Sequence, residues 1–235
     1  MKLKNSLPVL ALVIISSCAG FLTGCRSGKS NDTYKGKPYS DSVYKSGAQT
    51  IPGRLQCEYY DFGGEGVAFH DTDTINSGSG RLNPADGSYL NEFRINEAVD
   101  ISFTKFRDPA IDNSQYNFAE PVKDQFYVGW TAPGEWTKYT VKVEKAGTYE
   151  LGIMYTSNQN GKISISVNDE DKTGPLLISS TFVAADTIAW RQWHHWNYID
   201  KLERIELKKG IQTITINTVE IGQMNYDYIN FDLIK

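Results

Sequence analysis

The sequence predicts an all-β protein, an antiparallel β-sandwich of the jelly-roll type. Short runs of alternating apolar and polar residues recur from residue 51 to the C-terminus, and turn residues such as Pro133-Gly134 separate them. No helical period of any length interrupts these runs. The 235 residues include 14 Tyr and 10 Phe, which favour strands. Many short strands with regular turns indicate two sheets that enclose one core.

About ten short strands follow one another along the chain. The segment from Asp71 to Gln125 is the exception, because Asn, Ser, Gly, Pro and Asp dominate it and only 99–103 reads as a good strand. A long irregular stretch in a compact domain is usually either functional or flexible. The other predicted strands, in order, are 55–60, 67–70, the run around 126–130, 136–143, 149–155, 163–167, 176–182, 202–207, 214–216 and 229–233.

The segment F-Y-V-G-W-T-A-P-G-E-W-T-K-Y-T-V-K-V, residues 126–143, carries the clearest strand pattern. After the Pro133-Gly134 turn, Tyr139 and Val141 fall on one face of a strand, and Trp136 falls with the lysines on the other. An indole on the solvent side is either a ring covered by other parts of the fold or a platform for a ligand. The alternation leaves both readings of Trp136 open.

Residues 1–24 are predicted to be a lipoprotein signal peptide. Lys2 and Lys4 form a charged start, and an apolar stretch follows that is too short and interrupted for a membrane span. The sequence L-T-G-C at residues 22–25 resembles the bacterial lipobox, which predicts cleavage before Cys25 and acylation of that cysteine. A second, weaker candidate ends at Cys18, and an ordinary secreted protein is the alternative.

Residues 25–50 are predicted to be a flexible tether from the lipidated cysteine, and 51–235 the folded domain. The tether is rich in Ser, Gly, Lys and Asn and has hardly any aliphatic residue, so it lacks the surface that a core would bury. A lipid on Cys25 would hold the domain on a membrane surface. Within the domain, Cys57 alternates with polar residues and is expected to be a small buried side chain.

Composition and motifs argue against nucleic-acid binding and against catalysis. The formal net charge of −4 gives no attraction to nucleic acid, and H-E-x-x-H, G-x-S-x-G and C-x-x-C are missing. His194 and His195 point to opposite faces of an extended chain and would not share a metal. A glycosidase needs two carboxylates at a set separation. No spacing singles out such a pair among Glu92, Glu97, Asp100 and Glu135, so no enzyme activity is predicted.

The run A-W-R-Q-W-H-H-W places tryptophans at every third position. In an extended chain Trp193 faces opposite to Trp190 and Trp196, so at least one ring is expected outside the core. An exposed indole covers the flat C–H patch of a sugar, while nearby amides bond its hydroxyls. The tryptophans therefore favour glycan binding.

Taken in order, four segments resemble the family 6 carbohydrate-binding modules: G-W-T-A-P-G-E-W-T-K-Y-T-V-K-V, A-G-T-Y-E-L, A-W-R-Q-W and M-N-Y-D-Y-I-N-F. The similarity extends over residues 51–235. It implies a β-sandwich that binds polysaccharide without cleaving it. It also implies a cleft at one end of the sandwich, where Trp130 and Trp190 hold a sugar ring and Asn225 bonds its hydroxyls. A second site in some members implies a ligand contact at Trp136.

The resemblance further implies a structural calcium site between the first and last strands. Gln56 and Glu58 share a strand face, and oxygen ligands suit calcium. Asp232 is the expected third ligand, and the alternative is that these are solvated residues on an edge strand. The long segment 71–125 departs from the shortest family members and is expected to wall or block the cleft.

The sequence thus predicts a non-catalytic, polysaccharide-binding lipoprotein of the bacterial cell envelope, anchored by Cys25 and expected at the outer membrane. Its expected partners are a polysaccharide or oligosaccharide, the membrane and glycoside hydrolases. The alternative is a sandwich that binds protein, as an adhesin or an accessory subunit of a glycan-degrading complex.

Overall fold

The computed structural model describes residues 34–235, in which two β-sheets enclose one hydrophobic core. Among these residues, no helix is long and apolar enough to span a membrane. The strands are β1 Gln49–Ile51, β2 Gly53–Gln56, β3 Phe69–His70, β4 Ser79–Gly80, β5 Asn83–Pro84, β6 Ile101–Phe103, β7 Phe126–Val128, β8 Trp136–Val143, β9 Gly147–Ser157, β10 Gly161–Val167, β11 Glu170–Asp171, β12 Leu176–Ile178, β13 Asn197–Leu207, β14 Gly210–Glu220 and β15 Met224–Leu233.

Helical structure in this range is limited to a four-residue α-helix, α1 (Tyr89–Glu92), and two 3₁₀ turns, Cys57–Tyr59 and Ala189–Trp193. The first sheet has the order β1-β8-β14-β10-β11, with β3 on β8 and β12 on β10. The second sheet has the order β13-β9-β15-β7-β6, with β2 on β15. Most pairs are antiparallel, and β1–β8 and β4–β5 are parallel. The predicted antiparallel sandwich is therefore confirmed.

The alternation of β8 is realised as the sequence predicts. Tyr139 and Val141 are fully buried between the sheets, whereas Trp136 and Lys138 lie on the outer face and are partly exposed. Inward-facing residues of β9 and β15, such as Ile153 and Phe231, complete the core from the second sheet. Burying such side chains is worth about 1.5–3 kcal/mol each. Cys57 is also buried, as predicted, although it begins a 3₁₀ turn rather than continuing a strand.

Residues 34–50 differ from the tether that the sequence predicts, because they pack on the domain. Tyr39 is 5% exposed, and its ring stacks on that of Tyr59 at 5.5 Å between centroids. Tyr44 stacks on Tyr59 at 4.0 Å. The stretch Gln49–Ile51 then pairs with β8. Tyrosine rings supply the buried surface that the missing aliphatic residues do not. The predicted lipidation site, Cys25, and the signal peptide lie outside the described residues.

The long segment 71–125 is held on the domain by specific contacts and is not a flexible loop. The guanidinium of Arg94 lies 3.3 Å from the ring centroid of Tyr60 and donates hydrogen bonds to the carbonyl oxygens of Tyr60 and Asp61. Its other partner is the carboxylate of Glu97, at 2.8 Å. Further along, the backbone N–H groups of Phe118 and Ala119 donate to the carbonyl oxygen of Trp196, just before β13. The segment therefore forms part of the wall around the second sheet.

Candidate functional site

A pocket of about 450 Å³ lies at the end of the sandwich where β7 ends and where β13 and β15 begin. A pocket of this size can hold a small ligand. Its apolar and aromatic lining consists of Leu82, Tyr127, Trp130, Trp190 and Trp193. Its polar lining consists of His194, Gln223 and Asn225.

Trp130 and Trp190, the two rings that the sequence analysis assigns to a cleft, line this pocket together. Their exposed fractions are 40% and 49%, which are high for tryptophan. Trp130 also has a φ of 49°, a left-handed conformation that non-glycine residues seldom adopt. Strain of this kind is concentrated at functional sites. Both rings are therefore available to a ligand.

The tryptophan run is not extended, contrary to the prediction. Residues Ala189–Trp193 form a 3₁₀ turn, in which positions three apart lie on the same side. Trp190 and Trp193 therefore both line the pocket, whereas an extended chain would separate them. Trp196 is fully buried in a small cluster with Tyr127 and Met154. A spacing of three fits an extended chain and a 3₁₀ turn equally well, so the sequence alone does not distinguish them.

Asn225 lies at the start of β15, and its amide has one orientation that satisfies its neighbours. The Nδ2 group lies 2.9 Å from Thr156 Oγ1 and 2.7 Å from the carbonyl oxygen of Trp193. The Thr156 hydroxyl donates to that same carbonyl, so its oxygen accepts from Nδ2. Both Nδ2 hydrogens are thereby used, and Oδ1 is left as the free atom. Asn225 can therefore accept a hydrogen bond from a ligand.

Gly129 lets the chain approach Asn225 closely. A Cβ atom at this position would lie 2.7 Å from Asn225 Oδ1 and 3.1 Å from the ring of Tyr127. Real Cβ atoms essentially never come that close to a neighbour. The G-W pair at residues 129–130 thus combines a glycine that clears Asn225 with an indole that lines the pocket.

The long segment 71–125 contributes to this pocket, as expected of a cleft wall. Leu82, between β4 and β5, lines it and is 57% exposed. Asp112, which is fully buried, bonds the ring of His194 at 2.8 Å. Sequence reasoning missed Leu82, His194 and Gln223, because their neighbours come from distant parts of the chain. Only the tryptophans beside His194 signalled its position.

The two adjacent histidines do not share a partner. His194 lines the pocket, while His195 is fully buried and bonds Asp186 at 2.8 Å. Asp186 also pairs with Arg191, whose hydrogen bond holds the pKa of the Asp186 carboxyl well below its usual range. This Asp186 network fixes the 3₁₀ turn that carries Trp190.

Trp136 does not line this pocket and lies on the outer face of the first sheet. It pairs with Asn217 on β14, and the Nζ atom of Lys138 lies 5.5 Å from its ring centroid. The same Nζ lies 5.0 Å from the ring centroid of Tyr34, and it also pairs with Asp169 at 2.6 Å. Trp136 and Tyr34 therefore flank one lysine on a polar sheet face.

The carboxylates of Asp71 and Glu135 lie in one small pocket with Trp136. Glu135 is held by the N–H and hydroxyl of Thr72, at 3.1 and 2.6 Å. Burial raises the pKa of Asp71 to about 7 and that of Asp100 to about 6. Glu97 instead pairs with Arg94. The acidic residues considered from the sequence are thus mostly occupied by internal hydrogen bonds.

Three buried oxygen atoms where β2 meets β15 have no hydrogen-bond partner: Gln56 Oε1, Glu58 Oε2 and Asp227 Oδ1. Gln56 pairs with Tyr228, the residue after Asp227. Burial raises the pKa of Asp227 to about 7. Burial, and then the charge of Asp227, raise the pKa of Glu58 well above its ordinary value. Orphaned buried oxygens are costly, so this set fits a hard cation such as calcium.

The structure separates Asp232 from that cluster. Asp232 is exposed, and its backbone lies opposite Glu150 in the register of β15 and β9. It lies four residues beyond Tyr228, which corresponds to about 13 Å along a strand. Asp227 takes the place that the sequence analysis gave to Asp232, because a bulge between Tyr226 and Tyr228 changes which side chains point inward. In the described range, no three acidic, histidine or cysteine side chains form a metal site. The cluster has two carboxylates and one amide.

A family sequence model described as "Carbohydrate binding module (family 6)" matches residues 102–233, more than half of the chain. The chain belongs to family 6 of the carbohydrate-binding modules. The match includes Trp130, Trp190 and Asn225 within the module. It begins after the predicted start at residue 51, so the segment before Ser102 stands outside it. No curated protein sequence matches the chain significantly.

Solved structures similar to this chain include other carbohydrate-binding modules and several enzymes. The CBM6-3 module of Clostridium stercorarium, solved with cellobiose, has a TM-score of 0.47 at 10% identity, over 80% of this chain and 98% of that one. A family 35 module from Clostridium thermocellum has a TM-score of 0.38 at 21% identity, over 49% and 82%. A Bacillus subtilis arabinoxylan arabinofuranohydrolase, solved with cellotetraose, has a TM-score of 0.46 at 12% identity, over 83% and 33%.

Proposed function

We propose that the pocket at the end of the sandwich binds one sugar unit of a polysaccharide. The observation that carries this proposal is that two exposed indoles, Trp130 and Trp190, line one pocket with the free Oδ1 of Asn225. The indoles cover the apolar faces of the sugar, and Oδ1 accepts a hydrogen bond from one hydroxyl. Burying one face of each ring is worth about 1–2 kcal/mol, which gives a modest, reversible affinity.

We propose that binding occurs without cleavage. Hydrolysis of a glycosidic bond uses two carboxylates that flank the bond, whereas no carboxylate is among the described residues that line this pocket. The acidic residues near Trp136, Asp71 and Glu135, line a second, smaller pocket. Incubation of the protein with polysaccharides, followed by an assay for new reducing ends, is expected to give no product.

Trp136 is proposed as a second contact for polysaccharide, on the outer face of the first sheet. Its partial exposure, its polar neighbours Lys138 and Asn217, and the ring of Tyr34 support this role. We expect Trp136→Ala to weaken binding of long polysaccharides and to leave binding of short oligosaccharides in the pocket unchanged.

Calcium is proposed as a structural ion held by Gln56, Glu58 and Asp227. When bound, it would supply positive charge to two buried carboxylates and so link the first and last strands of the second sheet. The support is the set of three unpartnered buried oxygens. Asp232 has no part in this proposal.

The cellular setting is also a proposal. Acylation of Cys25 would anchor the protein in a bacterial envelope, at the outer membrane, where it would present the pocket to polysaccharide and assist glycoside hydrolases. The signal-like sequence of residues 1–24 and the L-T-G-C motif support it. Labelling of the wild-type protein but not of Cys25→Ser with a radioactive fatty acid tests the anchor.

The pocket is tested by titrating short oligosaccharides, whose binding does not involve the proposed contact at Trp136, while tryptophan fluorescence is recorded. Quenching is expected for the wild type and is expected to be lost in Trp190→Ala. Phe118→Ala is the matched control, because Phe118 is 60% exposed and does not line the pocket. Binding that survives in Trp190→Ala would refute the pocket. If no tested glycan binds and a pull-down captures a stable protein partner, the alternative function as an adhesin or accessory subunit is favoured.

A further inference from the structure

Asp112 is a buried carboxylate that the sugar-binding proposal does not use. Its Oδ1 accepts from the indole Nε1–H of Trp196 at 2.8 Å, and its Oδ2 accepts from the backbone N–H of Lys105 at 2.7 Å. The third partner is Nδ1 of His194, also at 2.8 Å. A carboxylate only accepts hydrogen bonds, so the proton in this last contact belongs to the histidine.

The contact with Asp112 fixes the orientation and the tautomer of His194. With its hydrogen on Nδ1, a neutral imidazole has a lone pair on Nε2 and no hydrogen there. The rings of Trp190 and Tyr127 pack edge-on against the imidazole, with centroids 6.2 and 6.5 Å away. Among the described residues, no hydrogen-bond contact to Nε2 of His194 accompanies the one to Nδ1. The ring lines the pocket with its acceptor nitrogen available.

The pocket therefore offers two fixed acceptors, Nε2 of His194 and Oδ1 of Asn225. The described lining contains no lysine or arginine. Lys105 touches Asp112 through its backbone, and its ammonium instead lies 3.1 Å from Ser102 Oγ. Hydroxyl groups donate hydrogen bonds to such acceptors, whereas a carboxylate brings a third acceptor and a charge without a partner.

We propose that His194 is a ligand-contacting residue, held by Asp112 as its positioning residue, and that with Asn225 it selects a sugar unit with two hydroxyl donors against one bearing a carboxylate. This inference rests on the proposed function of the pocket. It assigns a role in specificity to the segment 71–125, since Asp112, which bonds His194 behind the pocket, belongs to that segment.

The test uses the detergent-solubilised full-length protein and a panel of cello-, xylo- and laminari-oligosaccharides. The tightest neutral binder is compared with the same oligosaccharide after oxidation of its primary hydroxyls, or of a terminal unit, to carboxylate. The wild type is expected to prefer the neutral form at least tenfold in Kd. His194→Phe, which removes the acceptor and keeps a ring, is expected to weaken neutral binding about tenfold. His194→Gln, whose amide oxygen can accept, is expected to restore part of that loss.

The role of Asp112 is read from the ¹⁵N signals of the His194 imidazole. In the wild type we expect the Nδ1–H tautomer and a shift of the Nε2 signal on addition of the neutral oligosaccharide. In Asp112→Asn we expect a mixture of tautomers and weaker binding.

The two proposals fail in different ways. If Trp190→Ala abolishes binding while His194→Phe binds like the wild type, the pocket stands and the role of His194 is refuted. Equal affinity for the neutral and oxidised oligosaccharides refutes the selectivity. If the wild type binds nothing in the panel and shows no fluorescence change, the sugar-binding function of the pocket fails first.

Discussion

At the scale of single residues, Asn225 shows how its neighbours restrict what a polar side chain can do. Its Nδ2 group donates hydrogen bonds to Thr156 Oγ1 and to the Trp193 carbonyl, which hold the fold. Its Oδ1 atom is left to accept a hydrogen bond in the pocket. An asparagine is required because each half of the amide has a separate partner. The motif M-N-Y at residues 224–226 carries the resemblance to the family, but it does not show which amide atom faces the pocket.

Asn225→Asp is therefore expected to damage both structure and binding. The new carboxylate would oppose the Trp193 carbonyl, at present 2.7 Å from Nδ2, and would leave it with only the Thr156 hydroxyl as a donor. Losing these bonds costs about 1–3 kcal/mol of unfolding free energy. We expect a lower melting temperature and at least tenfold weaker oligosaccharide binding by fluorescence titration. Asn160→Asp is the control, since exposed Asn160 uses its Oδ1 as acceptor and keeps it. Equal behaviour of the two variants would contradict the assignment of the Asn225 amide.

At the scale of elements, the strands follow from the sequence and the segments between them do not. Alternation identifies β8 because one face of a strand packs on the core and the other meets solvent. The 3₁₀ turn that carries Trp190 has no such signature, since its form depends on the ion pair of Arg191 with Asp186 and the bonds around His195. The bulge at Tyr226 likewise decides that Asp227, and not Asp232, lies inside.

Arg94 is expected to determine whether segment 71–125 stays in place. Lysine at this position keeps the charge but not the planar fork that reaches the Tyr60 and Asp61 carbonyls and Glu97 together. Arg94→Lys should lower the free energy of unfolding by about 2 kcal/mol. Differential scanning calorimetry of Arg94→Lys beside Arg81→Lys, which changes an exposed arginine, measures the effect. Matching melting temperatures would show that the Arg94 contacts contribute little.

At the scale of the whole molecule, the cluster of Gln56, Glu58 and Asp227 joins the two ends of the domain. If calcium occupies it, a chelator should lower the melting temperature at neutral pH, by about 2–4 °C for each kcal/mol of lost stability. Asp227→Asn should abolish the difference between calcium and chelator, and Asp232→Asn should preserve it. A melting temperature insensitive to chelator in the wild type would rule out the ion.

The pH dependence of the chelated protein follows from carboxylates whose pKa values are raised by burial, among them Asp227, Asp100, Glu58 and the partly buried Asp71. The pKa values of Asp227 and Asp71 are raised to about 7 and that of Asp100 to about 6, all by burial, from a usual 3.8. Between pH 3.8 and these raised pKa values, the folded state binds more protons than the unfolded state. The free energy of unfolding must therefore fall as the pH rises through this interval. Denaturant unfolding in chelator should therefore give a larger free energy near pH 4.5 than near pH 7.5. Stability that rises over this interval would contradict the raised pKa values.

The overall sandwich could be predicted from the sequence because its strands are locally encoded, whereas the domain boundary could not. The stretch 34–50 has hardly any aliphatic residue, and it is folded through the stacking of Tyr39 and Tyr44 on Tyr59 and through the pairing of Gln49 and Thr50 with β8. In the same way, Trp130 and Trp190 could be proposed as ligand contacts, but His194 and Leu82 depend on long-range neighbours.

Tyr34 is held on the first sheet by its hydroxyl, which donates to Asp61, and by its ring beside Lys138. Only nine steps of chain separate it from Cys25, and an extended chain spans about 3.4 Å per step, or roughly 30 Å in all. If that cysteine is acylated, this connection holds Tyr34 within roughly 30 Å of the lipid. Glycan would then be bound in the thin layer next to the lipid headgroups. Inserting residues between Cys25 and Tyr34 would let the pocket bind glycan farther from the membrane.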